Sequence, residues 1–311
     1  MITLSPNADK SLKLILPNTN KALALALKSA TAKELTSLTQ TKDLGSILDS
    51  LLKQSNGVDT AQNRALLELL KSNPTLKSLS NAVPTLKDLL QLLKADKTQT
   101  ALEKSLQNFL TNIKDIDSKE LHSKLKSSGV FLENELKTSK NPKEILSSDL
   151  KALLLKTSDE LSNAATTPKS QEILKQIDKV LLQIDYHQLV SHLSNASSLY
   201  LPYSWDALQE GDINIKKIKN KSYCCDIHLE LKEYATVDLR LVLFEKNQLS
   251  INISTQSKEL KEKILQNLQI LKKQLSNAAL ITKEIRFIEK KENLYSEHTL
   301  ENLAMGFEVK A

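Results

Sequence analysis

The chain has 311 residues, of which 26% are charged, a formal net charge of +6, and only three arginines, Arg64, Arg240 and Arg286. Readers of nucleic acid lean on arginine for phosphate and guanine contacts, so this balance argues against a nucleic-acid partner. No stretch approaches eighteen apolar residues, which argues against a membrane-inserting helix, and five glycines leave little material for a phosphate-binding loop.

Residues 1–30 are polar, carry Pro6 and Pro17, and lack the basic and apolar regions of a cleaved secretory signal. Lys21 is followed by alternating Ala and Leu as far as Leu27, both strong helix formers, so a helix is expected there. Residues 31–195 read as a string of short helices rich in Leu, Lys and Ser. One is marked by Leu66, Leu67, Leu69 and Leu70, another by Leu102, Leu106, Phe109, Leu110 and Ile113. The strongest stripe is Ile173, Ile177, Val180, Leu181 and Ile184. Ser55-Asn56-Gly57, Asn73-Pro74, Ser128-Gly129, Asn141-Pro142 and Thr167-Pro168 are the expected breaks. Ten of the twelve aromatics lie after residue 185, so this leader is expected to pack loosely. Pro74-Thr75-Leu76-Lys77-Ser78-Leu79 recurs as Pro84-Thr85-Leu86-Lys87-Asp88-Leu89, an echo too short for a solenoid.

A domain boundary is expected near Asn195, with residues 194–198 as a linker. Trp205, the only tryptophan, is expected with Tyr203 to plug one end of a sheet, or else to serve as an exposed partner anchor. Ile213, Ile215 and Ile218 suggest an extra strand. The period then becomes two: Tyr223, Cys225, Ile227, Leu229 and Leu231 alternate with Cys224, Asp226, His228, Glu230 and Lys232. Val237, Leu239, Leu241 and Leu243 share one face of a second strand. Lys246-Asn247-Gln248 is a break of hairpin length, and Leu249, Ile251 and Ile253 form a third strand. Ser257 is a plausible N-cap for a helix whose apolar stripe is Leu260, Ile264, Leu268, Leu271 and Leu275. Asn277 stops it, and Ile285 and Phe287 return as a last strand. Those strand and stripe residues are the expected domain core. The fold class is α+β: a helical, partly flexible leader, then a small antiparallel sheet covered by one amphipathic helix. Residues 291–311 are expected to be loose apart from one weak helix.

This strand–strand–helix–strand order resembles the C-terminal domain of flagellar hook-length control proteins. The resemblance rests on Leu231-Lys232-Glu233-Tyr234-Ala235-Thr236-Val237-Asp238-Leu239-Arg240-Leu241, on Asn247-Gln248-Leu249-Ser250-Ile251-Asn252-Ile253, and on Leu268-Gln269-Ile270-Leu271-Lys272-Lys273-Gln274-Leu275. It covers about a third of the chain. Two further segments, Ser128-Gly129-Val130-Phe131-Leu132-Glu133 and Asp149-Leu150-Lys151-Ala152-Leu153-Leu154-Leu155, look like segments that precede this domain in some relatives. Two departures stand out: glycine is usual where Ala235 stands, and again near Ala278-Ala279, and alanine adopts positive φ less cheaply.

The resemblance implies a bacterial protein that starts in the cytoplasm and leaves through the flagellar type III apparatus. Residues 1–30 would carry the export signal and residues 31–195 the ruler, touching hook and hook-cap subunits. Residues 196–290 would be the switch that meets the cytoplasmic domain of the export-gate switch protein. Tyr234, Ala235, Thr236 and Trp205 are the candidate partner-binding residues, and a monomer is expected. The needle-length ruler of a related injectisome, or a cytosolic RNA- or protein-binding α+β module using the lysines of 216–221, are the competing readings.

Catalytic chemistry is not apparent. His187 and His192 are five apart, off the i, i+4 spacing of a helical metal pair. His228 between Asp226 and Glu230 reads as a solvated sheet face. Cys224 and Cys225 point to opposite faces of a strand and read as one core and one edge thiol. No cofactor, metal or enzyme activity is expected.

Overall fold

The computed structural model of the chain describes residues 21–29, 61–72, 76, 78–96, 100–164, 167–201, 203–218 and 222–288. It divides into two compact units, one ending at Lys217 and the next beginning at Ile218.

In the first unit the described residues form nine α-helices: α1 (Lys21–Ser29), α2 (Ala61–Ser72), α3 (Val83–Asp96), α4 (Thr100–Phe109), α5 (Ser118–Lys126), α6 (Leu132–Thr138), α7 (Pro142–Ser148), α8 (Leu150–Asn163) and α9 (Pro168–Ser194). An antiparallel pair follows, β1 (Ser197–Tyr200) and β2 (Leu208–Lys217), with Leu199 opposite Ile213.

α9 is the axis of this unit. Its start is set by Pro168 in the first turn and by a capping box in which Thr167 and Ser170 satisfy each other's backbone N–H. α1, α2, α3, α8 and β1 all pack on it. Ile173, Ile177, Val180 and Ile184 are wholly buried, and Tyr186, Leu189, Val190 and Leu193 join Ala22, Ala26, Leu66, Leu69 and Leu70 in one cluster. This corrects the expectation of a loosely packed leader. Leucine supplies the interior that the missing aromatics do not: Leu86, Leu89, Leu93, Leu102 and Leu106 are each at most 1% exposed.

The expected linker at 194–198 is a helix end and a strand start. Asn195 caps α9 in the left-handed region at φ 47°, where asparagine is tolerated. Ser198 then begins its pairing with its N–H donated to Ser191 Oγ at 2.8 Å. Tyr203 and Trp205 belong to this unit. Tyr203 is buried and Trp205 half-buried, on a loop pinned to the 111–113 segment by Ser204 N to Thr111 O and Ile113 N to Ser204 O, both 2.9 Å.

The two segments at 128–133 and 149–155 meet in this unit. Leu150 N donates to Ser127 O at 2.9 Å, and Gly129 N to Asp149 Oδ2 at 3.2 Å. Asp149 also caps α8 through Ala152 N, yet burial pushes its carboxyl up to about 7 against those bonds. Lys151, 5% exposed, places its ammonium 2.6 Å from Glu133 Oε1, 2.8 Å from Gln188 Oε1 and 3.3 Å from Asp185 Oδ1. Three donors meet three acceptors, which is what makes a buried cation tolerable. His187 is fully buried between Ser198 Oγ and Ser80 O, and burial lowers its pKa to about 4, so it sits there neutral.

The second unit is β3 (Tyr223–Leu231), β4 (Ala235–Phe244), β5 (Gln248–Thr255), α10 (Lys258–Asn277) and β6 (Ile281–Phe287). β3, β4 and β5 form an antiparallel meander in which Ile227 faces Leu239 and Leu239 faces Ile253. β6 differs from the expected pattern: it runs parallel to β5, Ile251 beside Ile285. A 20-residue helix rises about 30 Å, enough to return the chain to the end where β5 began. The α+β class stands, with a mostly antiparallel sheet.

On α10 the five stripe residues Leu260, Ile264, Leu268, Leu271 and Leu275 are half-buried, and every residue between them is exposed. None is fully buried, because α10 packs on β5 and β6 as a single layer. Of the expected core, Leu231, Val237, Leu249, Ile251 and Ile253 are buried. Ile227, Leu229, Leu239, Leu241, Ile285 and Phe287 are half-buried.

Candidate functional site

Three of the four residues expected to meet a partner lie on the turn between β3 and β4. Leu231 and Ala235 are the last paired positions, and Lys232, Glu233 and Tyr234 cross between them. The turn closes because Ala235 takes φ 55°. Tyr234 does not stand free. Lys263 of α10 donates to its hydroxyl and lies 4.7 Å from its ring centroid. Lys263 is held in turn by Glu259, one helical turn back, at 2.8 Å. Glu259 and then Tyr234 raise the lysine pKa. Ala235 is exposed and Thr236 half-buried. Trp205, the fourth candidate, belongs to the first unit. Lys263 and Glu259 were not legible as site residues, since 29 residues separate Tyr234 from Lys263 and no local pattern links them.

The polar face of the sheet is not simply solvated. Asp226 and Arg240, opposite each other in register, form a two-pronged pair at 2.6 and 3.2 Å. His228 Nδ1 lies 2.6 Å from Asp238 Oδ1, again directly across. Arg240, Asn252 and Ser254 are buried. Asp226–Arg240 is a cross-strand pair of opposite charge, which stabilises a sheet by up to about 1 kcal/mol. Cys224 is buried and Cys225 half-buried, both as free thiols. Burial pushes the Cys224 thiol up to about 12 and that of Cys225 to about 11, so neither is a ready nucleophile. Among the described residues no group of three or more His, Cys, Asp or Glu is placed to hold a metal ion, and no helix is long and apolar enough to cross a membrane.

Among the described residues, four backbone positions hold this unit's turns in the left-handed region without a glycine: Ala235, Glu245 (φ 48°), Lys246 (φ 73°) and Ala279 (φ 59°). The turn is 245–247, one residue earlier than the expected break at 246–248, and its left-handed residues are Glu245 and Lys246. Asn247 instead takes Ile281 N on its carbonyl at 2.8 Å. At the end of α10, Leu280 N reaches Leu275 O and Ala279 N reaches Ser276 O, both at 2.9 Å, which is a Schellman close whose left-handed seat glycine usually fills. Left-handed alanine costs roughly 1–2 kcal/mol, partly offset by the entropy glycine loses on folding. Ala235→Gly and Ala279→Gly are therefore each expected to stabilise the second unit by about 0.5–1 kcal/mol, read as a higher urea midpoint. A lower midpoint for both would show that these turns are unstrained.

Comparison with known proteins bears on this unit and the strand before it. Residues 211–293 match the family model described as flagellar hook-length control protein FliK. No curated protein and no solved structure matches the chain.

Proposed function

We propose that the whole chain is a flagellar hook-length control protein, acting by binding and conformational switching without covalent chemistry. The match over residues 211–293 is the observation that carries this reading. It also favours the flagellum over the needle-bearing injectisome and over an RNA-binding module.

On this reading the chain starts in the bacterial cytoplasm and is exported through the flagellar type III apparatus. Residues 1–30 direct export, residues 31–195 sample length against hook and hook-cap subunits, and residues 196–290 meet the cytoplasmic domain of the export-gate switch protein. The turn at Tyr234, Ala235 and Thr236, backed by Lys263, is the proposed contact, with Trp205 as a second anchor. The packed interior around α9 adds a requirement: to pass a narrow channel as a ruler, the first unit has to unfold.

Hook length tests this directly. Cells lacking the chain should make overlong hooks without filaments; normal hooks in its absence would end the flagellar reading. Insertions at residues 55–60, which lie outside the described residues, should lengthen hooks in proportion to their size. The increment should fall between about 1.5 Å per residue if the chain is helical and about 3.4 Å if extended. Mean lengths that ignore insert size, measured on purified hooks by electron microscopy, would leave the switch but remove the ruler.

A further inference from the structure

Among the described residues the exposed large hydrophobics are Tyr223, Leu265, Ile270 and Ile281, and all of them lie in the second unit. Leu265 and Ile281 border one feature, the outer edge of β6. β6 ends the strand order, so among the described residues its one strand neighbour is β5. Ile288 N donates to Ile253 O, with Arg286 beside Asn252 and Glu284 beside Ser250. Successive residues of a strand turn their N–H and C=O to opposite sides, so Glu284 and Arg286 bond inward to β5 and Ile285 and Phe287 present theirs to the open edge. Such a row is a template for one more strand.

The start of β6 is blunted. Leu249 pairs with Thr282 and Ser250 with Glu284, which leaves Lys283 as an extra, exposed residue. Bulges and edge lysines of this kind block unselective pairing. From Glu284 to Phe287 the register is regular.

α10 decides what can enter. Lys261 lies 5.3 Å from the Phe287 ring centroid, so that flank of the helix stands over the edge strand. The opposite flank is the one that meets Tyr234. Leu265, one turn past Lys261, and Lys272, three turns past it, line the same flank, and Leu265 is 47% exposed. Lys258, Lys261, Lys272, Lys283 and Arg286 are all exposed and border the next strand position, about 5 Å out from β6. The nearby acids do not cancel them: Glu284 is bonded to Arg286, and the helical period turns Glu262 away from the sheet. A second copy of the chain would set the same lysine flank against itself. The cations instead suit an acidic strand.

We propose that the open edge of β6 takes an extended acidic segment of a partner protein as an added strand. Its backbone bonds to Ile285 and Phe287, its apolar centre meets Leu265, and its acids lie among Lys261, Lys272, Lys283 and Arg286. This rests on the reading of the second unit as the part that meets a partner, and adds a contact on the flank of α10 away from the Tyr234 turn.

The full chain can be tested with a fluorescein-labelled peptide of about ten residues, valines at the centre and glutamates on either side. Fluorescence anisotropy should show saturable binding, weakened at least tenfold when the glutamates are replaced by lysines. Amide exchange should slow at least tenfold at Ile285 and Phe287 when the glutamate peptide is bound. Lys261→Glu with Lys272→Glu, both exposed positions, should weaken the glutamate peptide at least tenfold and tighten the lysine peptide. No binding, equal binding of the two peptides, or protection that spares Ile285 and Phe287 would overturn the proposal. Those results would leave the flagellar reading standing if cells lacking the chain still make overlong hooks; normal hooks in such cells would end that reading whatever the peptide does.

Discussion

Replacing Gly129 with alanine is expected to cost the first unit about 3–8 kcal/mol. Gly129 sits at φ +88°, and a Cβ there would lie 2.7 Å from Lys151 Cβ and 3.0 Å from both Lys151 N and Ile184 Cδ1. Left-handed strain contributes roughly 1–2 kcal/mol. Overpacking adds roughly 1–3 kcal/mol, since one of the atoms in the way is the backbone nitrogen of α8 and cannot swing aside. Separating Gly129 N from Asp149 leaves a buried partner short of a bond, about 1–3 kcal/mol more if the loop moves. A domain's whole stability is of order 5–15 kcal/mol, so the variant should be close to unfolded in its first unit. Trp205, the chain's only tryptophan, lies in that unit and reports on it. With an m-value of about 1–3 kcal/mol/M in urea, its fluorescence transition should move down by about 2 M or vanish. An unchanged midpoint would mean that α8 is not fixed against the 128–133 segment.

That site shows how far residue order alone can be read. Both segments, 128–133 and 149–155, stood out in the sequence, but nothing in their spacing says that they touch. Contact is made through Lys151, whose acceptors Glu133, Asp185 and Gln188 come from α6 and α9. Such pairings depend on tertiary geometry and leave no period. The packing of the leader was missed for a related reason. Short leucine stripes on separate helices look weak one at a time, and become a core only when α9 brings them together. In the second unit, by contrast, periodicity is nearly sufficient. The alternation of β3, β4 and β5 gives their facing residues, and the α10 stripe names the five side chains that touch the sheet. What alternation does not give is depth: of the expected core only Leu231, Val237, Leu249, Ile251 and Ile253 are buried, and the α10 stripe, Ile285 and Phe287 stay half-buried. Nor does it give turn conformation, because Glu245 and Lys246 adopt left-handed backbone that their residue types do not favour.

The largest functional effect is expected from Ile253→Asp. Ile253 is 2% exposed on β5, paired with Leu239 on one side and Phe287 on the other. Removing its burial forfeits about 1.5–3 kcal/mol, and placing a carboxyl there without a partner costs several kcal/mol more. Leu268→Asp is the contrast. Leu268 is mid-stripe on α10 but half-buried, so a carboxylate there can turn toward water, and the cost should be about 1–2 kcal/mol, within the ordinary range for single substitutions. If residues 196–290 carry the switch, Ile253→Asp should abolish it: overlong hooks, no filaments, and the variant still appearing in the medium, because a channel that needs an unfolded chain tolerates an unfolded domain. Leu268→Asp should give hooks only moderately longer than normal, with filaments. Normal filaments from Ile253→Asp, in a chain whose second unit has lost its protease resistance, would move the switch out of this domain. Failure of the variant to leave the cell would place an export determinant inside it.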